Sequence, residues 1–328
     1  MKTISVVMAT FNGAEHLKEQ LDSILRQSLA PDEIIIQDDG STDATLDIVR
    51  DYAKADSRIK LFVNDAEHGI NNNFFGAIQK ATGDYIAISD QDDIWVDDKL
   101  KWQMEAIGEK LLCSGFSMPY PSSNRDVRIP NHHLLRLLFI GSSMPGHTLF
   151  FDRKLLERIP DAETLRTVKT YDNLLSIVAA AYDSVAYVEK PLVLHRLHAA
   201  SATYNGPVSN RKSIANLFSH VVNDFRLFRE LRPEVTRRLG VLLECMKKMD
   251  STEAVYRDAI TMLTLFVGNS PGSLLRLQLF CARHAEHLFY AKERKSLMTM
   301  LRGLYFPFSC YEYYRYLSHS RKSYLPLR

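Results

Sequence analysis

ISVVMATFNG (residues 4–13), IIIQDDGSTDAT (34–45) and YIAISDQDDIW (85–95) share one plan: an apolar run of strand length breaks off into polar and acidic residues. Between them, Leu17, Leu21, Ile24 and Leu25, then Leu46, Val49 and Ala53, then Phe74, Ile78 and Ala81 recur at helical spacing, while Ile59, Leu61 and Val63 alternate as a further strand. Repeated strand-helix-strand units predict an α/β fold, a Rossmann-like, mostly parallel sheet with helices on both faces. Ligands of such sheets bind outside the carboxyl ends of the strands. The chemistry is therefore sought at Ala9 to Gly13, Asp38 to Asp43 and Asp90 to Asp93.

Working outward, a helix is expected from Lys99 to Leu112, then a surface loop over MPYPSSNRDVRIPNHH (118–133), which places His132 and His133 at the surface. A strand near His147 to Phe151, a helix from Tyr171 to Ala181 and strands at Val185 to Val188 and Leu192 to His195 complete a first domain, residues 1–205. From there the pattern is helical, as in Val221, Phe225 and Phe228, and residues 206–328 are read as a basic, helical C-terminal region. The formal charge of +2 conceals this division. Residues 1–199 carry 21 Lys and Arg against 29 Asp and Glu, or −8, and residues 200–328 carry 20 against 10, or +10. The four cysteines show no paired spacing, which excludes a disulfide framework and a structural zinc. No run of eighteen apolar residues and no apolar leader occur, and a cytoplasmic chain is expected.

The first turn lacks G-x-G-x-x-G, and no G-x-x-x-x-G-K is present, so no glycine cradle holds phosphates. Asp90 and Asp92, two apart on extended backbone, project to the same face. A divalent cation reconciles their charges, and hard ions of that kind combine one or two carboxylates with substrate phosphates. Asp39 is placed to accept the imide N–H of uracil or thymine, although guanine also offers a ring N–H. Ser41, Thr42 and Asp43 read as caps of the following helix.

These residues carry a resemblance. ISVVMATFNG, the spacing to IIIQDDGSTDAT, and AISDQDDIWVDDKL (87–100) resemble the family-2 glycosyltransferases, inverting enzymes of GT-A fold, and among them the rhamnosyltransferase-like members of surface polysaccharide pathways. The likeness runs over about residues 3–205. It implies a nucleotide-sugar donor, a divalent cation and an acceptor sugar on a glycan; with the reading of Asp39, a UDP- or dTDP-sugar is expected, with Mn²⁺ or Mg²⁺ and a hydroxyl of a lipid-linked glycan. By matching position, Thr10, Phe11 and Asn12 contact the nucleoside, Asp39 the base and Asn73 the donor region. Asp90 and Asp92 hold the metal, while Asp93 and Trp95 line the sugar pocket and Asp90 also belongs to the donor site. Asp172, in KTYDNLLSIVAAA, matches the catalytic base; Asn173 and Leu174 stand where the rhamnosyltransferase type often has an aromatic pair. Arg196 is assigned to the diphosphate and His198 to the metal shell. A nucleotidyltransferase is the alternative enzyme, disfavoured by TFNGAEH, which lacks a glycine-rich basic turn. A non-catalytic scaffold is the third reading, opposed by the intact carboxylates.

Residues 292–328 mix Lys and Arg with Tyr305, Phe306, Phe308, Tyr311, Tyr313, Tyr314 and Tyr316. That composition suits an interfacial segment, rings at the headgroups and cations on anionic lipid, at the inner face of the cytoplasmic membrane. Packing onto the first domain or a homodimer interface is the alternative. Nucleic acid is not expected, since the acidic half would repel it.

Overall fold

In a computed structural model, which describes residues 2–121, 132–139, 144–196, 214–268, 270–289 and 296–311, the apolar runs form strands and the periodic segments form helices. β1 (Ile4–Thr10), α1 (Leu17–Leu25), β2 (Glu33–Asp38), α2 (Thr45–Ala55), β3 (Ile59–Val63), α3 (Ile70–Lys80) and β4 (Tyr85–Ser89) follow in turn. β1 pairs in parallel with β2 and β4, and β2 with β3; Thr10 stands opposite Asp38 and Met8 opposite Ser89. The polar strand ends therefore meet at one edge. Strand side chains alternate. Val6, Met8, Ile34, Ile36 and Ala87 pack under α1 and α2, and Val7, Ile35, Ile86 and Ile88 pack with α3 on the opposite face.

β5 (Ile94–Trp95), α4 (Lys99–Ile107), β6 (Leu112–Tyr120), α5 (Leu134–Leu137), β7 (Phe150–Asp152), α6 (Lys154–Glu157), α7 (Ala162–Leu165), α8 (Tyr171–Ala181) and β8 (Val185–Arg196) complete the sheet. Its order is β3-β2-β1-β4-β7-β6-β8-β5. β7 runs antiparallel to β4 and β6, and β5 to β8, whereas β6 and β8 are parallel. The sheet is mixed, parallel in its first half.

Four expectations are corrected here. Met118 to Tyr120 end strand β6 rather than opening a loop; Ser114, Gly115, Ser117 and Pro119 disguise its β character. The rest of the expected loop, 122–131, lies outside the described residues. The strand expected from His147 begins only at Phe150, after a 3₁₀ turn over Gly146–Thr148. The two strands expected after Val185 are one, because Glu189 and Lys190 form an irregularity between the pairings Gly115 with Val188 and Phe116 with Pro191. His132 and His133 are half-buried: His133 stacks on His287 at 4.0 Å and His132 on Tyr187 at 5.9 Å.

α9 (Ile214–Met246), α10 (Ala254–Val267), α11 (Pro271–Arg283), α12 (Ala285–Leu288) and α13 (Leu297–Ser309) follow. The expected boundary near residue 205 lies outside the described residues. These helices share the core of the first half: Leu239, Met262 and Phe306 join Leu138, Leu174 and Val7 in one cluster. Two of the rings expected at lipid headgroups turn inward, Phe306 at 2% and Tyr311 at 1% exposure, and Tyr305 donates its hydroxyl to Asp224 Oδ2 at 2.9 Å. Burying aromatic surface against α9 and α10 outweighs leaving it at a surface. Tyr313, Tyr314 and Tyr316 lie outside the described residues. All four cysteines are buried thiols, and among the described residues no helix is long and apolar enough to cross a membrane.

One carboxylate buried in the sheet is fully paired. Glu33, 5% exposed, accepts from Ser5 Oγ at 2.6 Å, Lys60 Nζ at 2.7 Å and Thr82 N at 2.6 Å. Burial alone would raise its pKa, but Lys60, Ser5 and Thr82 bring it down to about 2. A depressed carboxylate stabilises the fold above its unfolded pKa, and the contribution is lost as pH falls toward the folded one. Glu33→Gln is expected to cost about 1–3 kcal/mol at neutral pH. It should also flatten the acid limb between the ordinary value of 4.5 and about 2, as read by urea unfolding at stepped pH.

Candidate functional site

Three turns build the cleft at the carboxyl edge of β1, β2 and β4. In the first, Gln91 clamps the backbone of Phe11, accepting from its N–H at 2.9 Å and donating to its carbonyl at 3.1 Å. A Cβ on Gly13 would fall 2.2 Å from Gln91 Oε1, which explains the glycine. Asn12 adopts φ +47°, receives Thr42 N on Oδ1 at 2.8 Å and donates its own N–H to Ser41 Oγ at 2.8 Å. Ser41 and Thr42 thus brace the first turn rather than cap α2; Asp43 alone bonds that helix, accepting from Thr45 N at 3.0 Å. Phe11 is left with 49% of its surface exposed.

Thr10 and Asn73, expected at the nucleoside and donor, are buried at 1% and 2%. Thr10 donates its hydroxyl to Asp38 Oδ2 at 2.8 Å, and Asn73 Nδ2 donates to the carbonyls of Thr10 at 3.3 Å and Gln37 at 3.0 Å. They frame the turn from beneath. Asp39 organises the segment that follows β3, accepting from Asn64 Nδ2 at 2.7 Å and Gly69 N at 2.8 Å, with His68 Nδ1 3.1 Å away. Its side chain remains 11% exposed.

The acidic turn after β4 separates by burial. Asp90 is 32% exposed at its side chain and Asp92 half-buried, whereas Asp93 is fully buried. Ligand oxygens of all three lie within 4.8 Å of one another. This all-oxygen set fits a hard divalent cation. Asp93 turns away to anchor the site: its Oδ1 meets His195 Nδ1 at 2.9 Å and accepts from Arg196 N at 3.0 Å, and its Oδ2 lies 3.5 Å from His147 Nδ1. His147 Nδ1 is also 3.2 Å from Asp90 Oδ2, and the two imidazoles stack at 4.8 Å. Burial would raise Asp93 and lower His147, but their mutual attraction reverses both, holding the carboxyl below the usual range and the imidazole above it.

Trp95 is corrected from the sugar pocket to the core. It is 1% exposed, donates its backbone N–H to Ser23 Oγ at 3.0 Å, and carries the Lys99 ammonium 3.8 Å over its ring. Full burial pushes Lys99 down to about 7. Arg196 reaches across the same turn, donating Nε to the Asp92 carbonyl at 3.1 Å and pairing with Glu19 at 2.5 Å. Its side chain is 17% exposed, so it braces the acidic turn. His198 lies outside the described residues.

Asp172 occupies the second position of α8 and accepts from Asn173 N at 2.8 Å. Thr170 is the N-cap, so Asp172 does not fill that place. Asn71 fixes the helix start, taking Tyr171 N on Oδ1 at 2.7 Å and donating Nδ2 to the carbonyls of Arg166 and Lys169 at 2.9 and 3.2 Å. Tyr171 stacks on Phe74 at 4.1 Å, and its hydroxyl lies where a Cβ on Gly146 would be, 2.0 Å from it. Burial raises the Asp172 pKa, and the charge of Asp90 pushes the same way.

Sequence reading missed Gln91, Asn71, His147 and His195 as organisers. The Gly-His-Thr run was visible, but its partner stands 54 residues earlier, at Asp93. Asp93→Asn is expected to destabilise the protein by about 3 kcal/mol, as removal of one partner from a buried pair does. Phe11→Ala should change stability by less than about 0.5 kcal/mol, since nothing buried is lost. Urea unfolding of both variants measures the contrast.

The Glycosyl transferase family 2 model matches residues 5–163, a span that holds β1 to β4, the acidic turn and the 146–148 turn. TuaG of Bacillus subtilis (strain 168), whose name places it in teichuronic acid biosynthesis, is 35% identical over 114 residues, 35% of this chain and 45% of TuaG. WfgD of Escherichia coli, named a UDP-Glc:alpha-D-GlcNAc-diphosphoundecaprenol beta-1,3-glucosyltransferase, is 35% identical over 101 residues, 31% of this chain and 39% of WfgD. The chain thus spans less than half of either relative. The crystal structure of S. aureus TarS 1-349 in complex with UDP-GlcNAc shares the fold, with a TM-score of 0.57 at 17% identity over 95% of this chain and 91% of that one. Residues 5–163, with their acidic turn at the edge of a GT-A-type sheet, are thus a glycosyltransferase family 2 domain within the chain.

Proposed function

We propose that the protein is a metal-dependent inverting glycosyltransferase, moving a sugar from a UDP- or dTDP-linked donor to a hydroxyl of a lipid-linked glycan in surface polysaccharide biosynthesis. The observation that carries this reading is the pairing of two unlike carboxylate environments. Asp90 and Asp92 are accessible and clustered, while Asp172 is half-buried with a raised pKa and lies within the electrostatic reach of Asp90. The first pair suits a cation and the second a proton.

Asp90 and Asp92 would hold Mn²⁺ or Mg²⁺, which when bound supplies positive charge for the departing diphosphate. His198 is proposed as a further ligand. The exposed Phe11 ring offers a stacking face for the nucleobase, with Asp39 at its edge as acceptor for the imide N–H. Arg196 holds the acidic turn against α1. Asp172 accepts the proton of the attacking hydroxyl as that oxygen bonds to the anomeric carbon and the bond to the diphosphate breaks on the opposite face. The name of WfgD supports a lipid-linked acceptor, and the UDP-GlcNAc bound to TarS supports a uridine donor. An acceptor on a lipid carrier implies work at the inner face of the cytoplasmic membrane.

Calorimetry of UDP and dTDP binding, with and without Mn²⁺, followed by a donor-hydrolysis screen, tests the reading against a nucleotidyltransferase and a non-catalytic scaffold. Asp92→Asn should weaken Mn²⁺-dependent nucleotide binding; unchanged binding removes Asp92 from the site. Asp172→Asn should retain that binding while cutting transfer by about 10²–10⁴-fold. Because the base must be ionised and its pKa is raised, transfer should fall as pH drops through a value above the ordinary carboxylate range. A rate independent of pH there, with Asp172→Asn near wild type, would leave the residue structural.

A further inference from the structure

Ten large apolar side chains are exposed among the described residues, and eight of them stand on three helices of the C-terminal half. Val222 and Phe225 lie on α9, Leu275 and Leu279 on α11, and four more between Leu297 and Leu301 on α13, where Leu297 is 74% exposed. The helices adjoin one another. Gln278 Nε2 donates to the Leu304 carbonyl at 3.1 Å, and the Phe308 ring tilts against Phe225 at 4.9 Å. A Cβ on Gly303 would come within 2.6 Å of Ala282 Cα, so α13 lies close along α11. At about 100° per residue, Leu275 and Leu279 fall on the flank of α11 beside Gln278 and Ala282, and Leu297 and Leu301 on the flank of α13 beside Leu304. Leu275, Leu279, Leu297 and Leu301 form exposed stripes on these two helices, with Met298 and Met300 to either side of the stripe on α13, a concentration that marks an interaction site.

The charge around that face is mainly positive: on α9, Arg226 and Arg229 are exposed against Glu230. Arg276, Arg283 and Arg302 are exposed, and Glu286 is the one acid among the described residues of 270–311. A second copy of the chain is a poor occupant, because an isologous contact would bring this cationic face against itself. Anionic lipid fits both features, with Leu and Met entering the acyl boundary and Arg meeting phosphate.

We propose that the outward face of α9, α11 and α13 docks on an anionic lipid surface, through aliphatic side chains rather than the aromatic ones that the sequence suggested. This deepens the proposed function, resting on it only for the biological reason to be at a membrane.

The test is sedimentation of the full chain with vesicles of phosphatidylglycerol and phosphatidylcholine, and with phosphatidylcholine alone. Binding to the anionic vesicles only, weakened by salt, is expected. Leu279→Glu combined with Leu301→Glu should weaken it at least about tenfold. In a separate variant, Leu301→Trp, the added indole emission should shift to the blue on anionic vesicles. Absence of binding, equal binding by the double variant, or an unshifted emission from the introduced indole in the bound state overturns the proposal. A lipid-independent dimer that the double variant dissociates also overturns it and assigns the face to self-association. Mn²⁺-dependent UDP binding, measured on the same samples, is expected to be unchanged in the variants. Its absence from wild type as well would count against the proposed function and leave the lipid result standing.

Discussion

The buried carboxylate of Asp93 is the constraint on which the cleft depends. An ionised carboxyl with no exposure is tolerable only where charge and hydrogen bonds replace water. Here His195, the Arg196 N–H and the nearby His147 do so. Meeting that requirement draws together the turn after β4, the turn before β7 and the end of β8. Each also carries something else. Asp90 and Asp92 precede Asp93, Arg196 follows His195, and Gly146 beside His147 receives the hydroxyl of Tyr171, the residue before Asp172. One anchor therefore sets the accessible carboxylates and the half-buried one in a common frame.

The parts legible in the sequence are those whose signal is local. β1, β2 and β4 are apolar on both faces, so their limits and polar ends follow from composition alone, and the apolar period of α8 marks Tyr171 to Ala181 as it stands in the structure. β6 escaped because its central residues are Ser and Gly, tolerated where the backbone of β8 bulges and Leu192 leaves no room for a Cβ at position 115. At the cleft, the motif identified which residue types gather but not which way they point. Thr10, Asn73 and Trp95 belong to the motif by position and to the interior by burial. Nothing in a one-dimensional pattern separates a residue that touches a ligand from one that holds its neighbour still. The separation between Phe11 and Thr10 comes from the strand alternation at the sheet edge together with the Gln91 clamp.

The charge divides the chain into two halves, and the packing joins them. Acidic and basic halves share a single apolar cluster, in which α5 and α8 lie against α10, and α12 and α13 extend it. A shared core resists relative motion, because interiors packed at crystal-like density transmit displacement rather than absorb it. The basic half is thus a fixed extension of the packing around α8, not a tethered module.

That rigidity bears on what acceptor the proposed function would require. Asp172 opens α8, α8 is buried along nearly its whole length, and the apolar, arginine-framed face is carried by helices built on the same cluster. If the face meets lipid, the height of Asp172 above the bilayer is set by packing and cannot adjust to the substrate. Under the proposed function, with Asp172 as base and a lipid-linked acceptor, the reacting hydroxyl would then have to be presented at that height, through the number of sugars and the diphosphate between it and the lipid. Specificity for acceptor length would follow from a dimension of the fold, added to whatever the sugar pocket selects by contact.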